Sequence, residues 1–254
     1  MLQVERSEYE KLDIVEDRMW WFAAMHKNLL MLARRMPIGK ANLPILDAGC
    51  GMGGFLRRLA QEYRDKAIFG LELDLFACIR AAAKSALPVC AGSVNEIPFR
   101  DGSFAAIFSA DVLCHRAVDE ERALRQFHRC LAEDGWLVLN LPAYRWILSR
   151  HDAAVHNIRR YTTSGLSRSL QAIGFHPIYV SYWNAALFPL MTITRKLLAG
   201  SYGAGSDVKP YPPPIELVCR WITGIETALL RRGLRFPFGG SVLAIATKKG
   251  ASDA

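Results

Sequence analysis

Two stretches of this sequence carry residues whose types and spacing could do chemistry. The first is Asp47-Ala48-Gly49-Cys50-Gly51-Met52-Gly53, which follows the apolar run 43–46 and opens a helical pattern from Phe55 to Tyr63. Glycines in a strand-to-helix turn let a ligand approach the main chain, whose N–H groups face it. Roughly 20 residues on, at the end of the next strand pattern, Glu72 stands where a carboxylate would grip a ribose diol. The second stretch holds Tyr144, Arg145, Arg150, His151, Asp152, His156, Arg159, Arg160 and Tyr161. Planar guanidinium groups suit phosphate or carboxylate, and an imidazole can act as a base near neutral pH. The same composition also describes a solvated loop with structural Arg–Asp pairs. His115, just past a strand pattern ending at Ala110, is a further candidate base, whereas His128 and His176 occupy ordinary helix and strand positions.

The first stretch admits two cofactors. Gly49, Gly51 and Gly54 satisfy the dinucleotide pattern GxGxxG. Asp47 argues against a dinucleotide, because a pyrophosphate beside it would set like charges together. S-adenosylmethionine has no phosphate, and its ammonium and sulfonium favour a nearby acid. An NAD(P)-dependent oxidoreductase and a non-catalytic cofactor-binding protein are the alternatives, and no Tyr-x-x-x-Lys pair supports the former.

The elements that must position these residues alternate. A helix is expected over 14–36, then strands at 43–48, 67–73, 87–91, 104–110 and 136–141, with helices at 55–63, 76–85 and 119–131 between them. This alternation means a parallel sheet covered on both faces. Beyond Pro142 a helix at 164–173, capped by Thr162 and Thr163, leads to a strand at 175–182. Apolar helices follow at 183–198 and 215–231, around a loop at 200–214 rich in Gly and Pro, and a last strand is expected at 241–247. The expected architecture is α/β and doubly wound: a mostly parallel seven-stranded sheet, an N-terminal helix, and a helical cap inserted before the last strand.

Composition bounds the rest. The 254 residues are 51% hydrophobic and 22% charged, enough for a sizeable core, and the net charge of +8 favours anionic partners or a membrane surface. The six cysteines show no CxxC pair and no zinc spacing, which points to free thiols in a reducing compartment and to no metal site. The polar N-terminus has no signal-peptide pattern, and no apolar run reaches the ~20 residues that span a bilayer, so a cytoplasmic location is expected. The apolar segment 183–235 has basic borders at Arg195-Lys196, Lys209, Arg231-Arg232 and Arg235, which suits either a cap over the site or peripheral contact with a membrane. No nucleic acid is expected as a partner.

The motifs resemble a known family. Ile45 to Gly53 is similar to motif I of the class I (Rossmann-like) S-adenosylmethionine-dependent methyltransferases, and Phe69-Gly70-Leu71-Glu72-Leu73-Asp74 to their second acidic motif. Ile97 to Phe104 resembles the lead into their fourth strand, and Leu131 to Leu137 the turn before their fifth. The resemblance covers 43–141 closely and 142–247 less specifically. The aromatic run Trp20-Trp21-Phe22 and the His151 to Tyr161 stretch resemble a bacterial small-molecule subgroup. The resemblance implies a single domain over 1–254, with an N-terminal helical segment (1–40), a cofactor core (41–142), a lid loop (143–163) and a helical cap (183–235). It implies S-adenosyl-L-methionine as cofactor, S-adenosyl-L-homocysteine as product, and a small anionic or lipid-like acceptor. Asp47, Gly49 and Gly51 would line the methionine end and Glu72 the ribose. Ser93 and Val94 would flank the adenine, Ala110 would face the amine through its backbone, and Cys50, Gly53, Leu73 and Trp21 complete the cofactor set. His115, His151, His156 and Tyr161 are the catalytic candidates, and Tyr144, Arg159 and Arg160 the acceptor-binding ones. Ser93 and Ala105 depart from the family, which often carries Asp at both places; a serine still accepts a hydrogen bond from the adenine amine.

Overall fold

The computed structural model describes residues 6–39, 42–148, 152, 156–197 and 211–248. Its chain order is α1 (Arg6–Val15), α2 (Trp20–Ala33), β1 (Ile45–Ala48), α3 (Gly54–Glu62), β2 (Ile68–Glu72), α4 (Leu75–Ser85), β3 (Val89–Ala91), β4 (Phe104–Ala110), α5 (Glu120–Cys130) and β5 (Leu131–Pro142). It continues with α6 (Thr163–Ile173), β6 (Phe175–Trp183), α7 (Phe188–Leu197), α8 (Pro213–Arg231) and β7 (Ser241–Lys248). Short polar side chains start several helices: Asp74 accepts from the N–H of Ala77, Asp119 from that of Arg122, and Thr162 from that of Gly165. Gly174, at φ +106°, ends α6 in the left-handed conformation that glycine adopts without a Cβ penalty.

The seven strands form one sheet in the order β3-β2-β1-β4-β5-β7-β6. β7 runs antiparallel to both its neighbours, and the other neighbouring pairs are parallel. Strands β1 and β4 alternate to both faces yet are buried almost throughout, as a sheet covered on two sides requires. One face packs Leu124, Phe127, Leu166 and Leu170, and the other packs Leu29, Leu32, Leu56, Leu59 and Leu230. The carboxyl ends of β1, β2 and β4 therefore meet on one edge, where the order reverses between β1 and β4, the usual place for a ligand in such a sheet.

Three boundaries differ from the sequence expectation. The single helix expected over 14–36 is two helices broken at 16–19, because the Glu16 carboxylate turns to Lys84 of α4 and the Trp20 N–H donates to Glu216 Oε2 at 2.7 Å. A carboxylate nearly two hundred residues away thus caps α2. Strand β5 begins at Leu131, before the expected turn, and pairs with β4 through a register shift between Phe104 and Ala106. Trp183 belongs to β6 and not to the next helix: its indole is fully buried and donates to Asn140 Oδ1 at 2.7 Å. The segment 200–210 of the expected loop lies outside the described residues.

Candidate active site

Strand β1 ends on Asp47, and the chain then makes three left-handed glycine turns in five residues: Gly49 at φ +81°, Gly51 at +53° and Gly53 at +87°. The outer two are closed by packing. A Cβ on Gly49 would fall 2.2 Å from the Val112 side chain, and one on Gly53 2.7 Å from the backbone of Ala81. At Gly51 a Cβ would meet nothing within 4 Å, so this is the point of the turn open to a ligand.

Carboxylates surround that opening. Glu72, at the end of β2, is buried and accepts three backbone N–H groups: Gly51 at 2.9 Å, Leu73 at 2.8 Å and Asp74 at 3.1 Å. Burial raises its carboxyl above the ordinary range, and the three donors pull it back. Asp47 is 2% exposed, and its Oδ2 has no hydrogen-bond partner among the described residues. Burial first, and then the charges of Glu72 and Glu16, push it up to about 8. Glu16, between α1 and α2, is raised to about 6 by burial against the pull of Lys84. A buried polar atom without a partner is uncommon, and a carboxyl raised by burial and neighbouring acids would gain its missing partner from a cation. The open turn and the orphaned carboxyl fit the ammonium end of S-adenosylmethionine, and the Glu72 carboxylate on the Gly51 N–H opposes a pyrophosphate there.

The remaining cofactor candidates take the following places. Cys50 is buried, and burial pushes its thiol well up. Val94 is buried, Leu73 is exposed, and Ser93 Oγ accepts from the Asn95 N–H at 3.1 Å. Ala110 ends β4 opposite Asn140. Trp21 stacks on Trp183, with centroids 6.0 Å apart and planes at 27°. His26, on the same helix, is buried against Phe55, and desolvation lowers it to about 3.

Of the catalytic and acceptor-binding candidates, His115, His156, Arg159 and Tyr161 gather around the 113–116 turn. Arg159 donates to the carbonyls of Leu113 and His115 at 3.2 and 2.8 Å. The Tyr161 hydroxyl donates to Leu113 O at 3.0 Å and lies 3.2 Å from Glu120 Oε2. Burial, and then His156, lower His115 to about 4, leaving it neutral at physiological pH. His156 sits at φ +55°, and its carbonyl accepts from Arg116 N–H. Arg160 lines the same groove as Arg159 and Tyr161 but is held by Asp152. Its guanidinium is 4% exposed, holds both oxygens of Asp152 at 2.7 and 2.9 Å, and donates to Ala143 O. His151 lies outside the described residues. Tyr144, at φ +56°, stacks on Tyr182 at 5.0 Å and approaches Phe188 and Trp146, so it joins an aromatic group beyond the ends of β5 and β6. Beside it runs a groove of about 610 Å³ lined by Glu120, Arg145, Arg159, Tyr161, Thr162 and Arg168, among others.

Sequence reasoning missed two carboxylates. Asp111 is the first residue past β4, at φ +55°, next to the Val112 that covers Gly49. Asn140 Nδ2 donates to its Oδ1 at 3.1 Å, and the indole of Trp183 fixes that amide by occupying its oxygen. Burial raises Asp111 to about 7, against the pull of Arg160 and Asn140. Its position at a strand's carboxyl end was a readable signal. Glu16 carried none, because it reaches the turn only through the packing of α1 on α4.

A doubly wound sheet with a glycine turn and acid ring at its switch point defines a nucleotide-type cofactor fold. Residues 46–139 match the family model described as "Methyltransferase domain". That segment runs from β1 to β5 and carries the glycine turn, Glu72 and Asp111. Curated relatives include 24-methylenesterol C-methyltransferase 2 of Arabidopsis thaliana, 27% identical over 56% of this chain and 41% of the relative. Malonyl-[acyl-carrier protein] O-methyltransferase of Legionella pneumophila is 30% identical over 37% of this chain and 34% of the relative. The chain thus aligns with less than half the length of these relatives. A Thermotoga maritima structure described as a S-adenosylmethionine-dependent methyltransferase, possible histamine N-methyltransferase, superposes with a TM-score of 0.60 at 19% identity, covering 96% of this chain and 95% of that one; this likeness is one of fold.

Proposed function

We propose that this chain moves the methyl group of S-adenosylmethionine onto a small, lipid-like acceptor bearing an anionic group. The carrying observation is the orphaned Asp47 Oδ2 at the end of β1, where the open glycine turn begins and Glu72 and Glu16 lie near. In this reading Asp47, Gly49, Cys50, Gly51 and Gly53 hold the methionine end, Glu72 and Leu73 the ribose, and Ser93 and Val94 the adenine. Ala110 offers its backbone to the amine, and Trp21 closes over the site. When bound, the cofactor supplies an electrophilic methyl group.

The protein's own part is alignment of the nucleophile and management of one proton. In this reading Asp111, beside the glycine turn and titrating near neutrality, or the neutral imidazole of His115 takes that proton, with His151, His156 and Tyr161 further candidates. The aromatic group of Tyr144, Tyr182, Trp146 and Phe188 suits an apolar acceptor body, and the arginine-lined groove suits its charge. The curated relatives named for sterol and acyl-carrier-linked substrates support a lipid-like class. The free cysteines accord with a cytoplasmic location, and among the described residues no helix is long and apolar enough to cross a membrane. Calorimetry with S-adenosylhomocysteine, S-adenosylmethionine and NAD(H) tests the reading. Micromolar-scale binding of the first two is expected, and tighter binding of NAD(H) would overturn it.

A further inference from the structure

Helix α8 is amphipathic in the reverse sense for a helix on a protein surface. Three of its four buried residues are polar, Thr223, Glu226 and Thr227, with Leu230 the fourth. Glu216 accepts from the Trp20 N–H, Glu226 accepts from the N–H groups of Asn184 and Ala186 at 2.8 and 2.7 Å, and Thr227 donates to Asn28 at 2.7 Å. Its outward face is apolar. Leu217, Trp221 and Ile225 follow one another at four-residue spacing and so share a stripe, with Val218 beside it. Leu217 and Trp221 are each 69% exposed, Val218 54% and Ile225 44%. A helix facing water carries the opposite arrangement, and an exposed apolar stripe of this size marks a contact surface.

The charges around the stripe select what covers it. Both carboxylates of α8 are engaged on the inward side, so the outward side presents cations alone. Arg231 ends the helix and Arg232 follows it, both exposed, whereas Arg235 turns back over the Tyr179 ring. An isologous dimer through this face would set the same carboxylate-free, arginine-bordered surface against itself. The segment 198–210 has only Leu198, Tyr202 and Val208 as large apolar residues, too few to cover the stripe. An anionic bilayer satisfies both features, accepting the indole and aliphatic side chains at the headgroup boundary and the arginines at the phosphates. We propose that α8 is an interfacial membrane helix, with the face of Leu217, Val218, Trp221 and Ile225 resting on an anionic lipid surface. About 28 Å of helix would lie in the plane of that surface. The inference does not rest on the methyl-transfer reading, although a lipid-like acceptor would be reached from the same surface.

Flotation of the full chain with vesicles tests it. One set is phosphatidylcholine alone, and the other contains about one third phosphatidylglycerol. The wild type is expected to float with the anionic vesicles. The double variant Leu217→Glu/Trp221→Glu, whose sites are exposed and whose fold is checked by its unchanged circular dichroism, is expected to bind them at least tenfold more weakly. Arg231→Gln/Arg232→Gln should lose the preference for the anionic set. A wild type that remains with the aqueous phase in both cases overturns the proposal, as does a double variant that floats equally well. A dimer in analytical ultracentrifugation that Trp221→Glu dissolves, without vesicle binding by the wild type, assigns the face to a second copy and also overturns it.

Discussion

The titration of Asp47 gives the sharpest handle on the site. Without ligand its carboxyl titrates at about 8, against 3.8 for an ordinary aspartate, chiefly because it is buried and secondarily because Glu72 and Glu16 are near. At pH 7 and below it holds a proton. A bound ammonium favours the carboxylate, so binding must expel that proton. Wherever the proton is bound in the free protein and lost in the complex, the apparent dissociation constant falls tenfold per pH unit. Between about pH 5.5 and about pH 7, both below the α-amino range of ~7.7–8.0, affinity for S-adenosylhomocysteine should therefore rise by a factor of about 30, or about 2 kcal/mol. The stability of the unliganded chain moves the other way. The native state keeps a proton that the unfolded state releases, so stability falls as pH rises between about 4 and 8. The assay is isothermal titration calorimetry in two buffers of different ionisation enthalpy, which counts the protons released. Asp47→Asn should bind more weakly, and its residual affinity should lose this dependence. A wild-type affinity flat across this range, with no proton released, would refute the assignment of Asp47 to a cationic ligand, and so would an Asp47→Asn protein that keeps the full slope.

Glu72→Ala should lower cofactor affinity at least tenfold, since charge-assisted hydrogen bonds are worth ~1.5–3 kcal/mol each; calorimetry with the variant still folded by circular dichroism checks it, and unchanged affinity removes Glu72 from the ribose site. Arg160→Ala leaves the buried Asp152 carboxylate without its bidentate partner, and breaking such a pair costs about 3–5 kcal/mol, read as a lowered midpoint in urea. If stability holds and only acceptor binding weakens, Arg160 faces the acceptor. Asp111→Asn should reduce turnover about 100-fold or more with cofactor affinity nearly unchanged. The wild-type rate should rise with pH through about 7 as Asp111 loses its proton, and an unaltered profile in the variant removes Asp111 from the reaction.

Much of the cofactor half was legible in the chain itself. Backbone chemistry explains why: three glycines in five residues after a buried strand leave few conformations, and all three take positive φ. The strands at 104–110 and 241–247 were readable from their apolar runs, and the start of α6 from Thr162, whose side chain caps the N–H three positions on. Such signals are local, and local physics suffices to write them.

What only the tertiary structure decided is what depends on contacts between distant parts. The break between α1 and α2 follows from Glu16 meeting Lys84 and from Glu216 capping Trp20. The near-neutral titration of Asp47 and Asp111 arises from burial and neighbouring charges, neither of which a residue's type reveals. The lid sequence reads as a set of functional groups, yet Arg160 is committed to Asp152, and Arg159 and Tyr161 to main-chain carbonyls of the 113–115 turn. The apolar pattern of α8 marks a helix but does not say which side faces the protein. Its inward carboxylate and threonine bonds settle that, because a buried polar group must find its partner while an apolar side chain needs only to leave water.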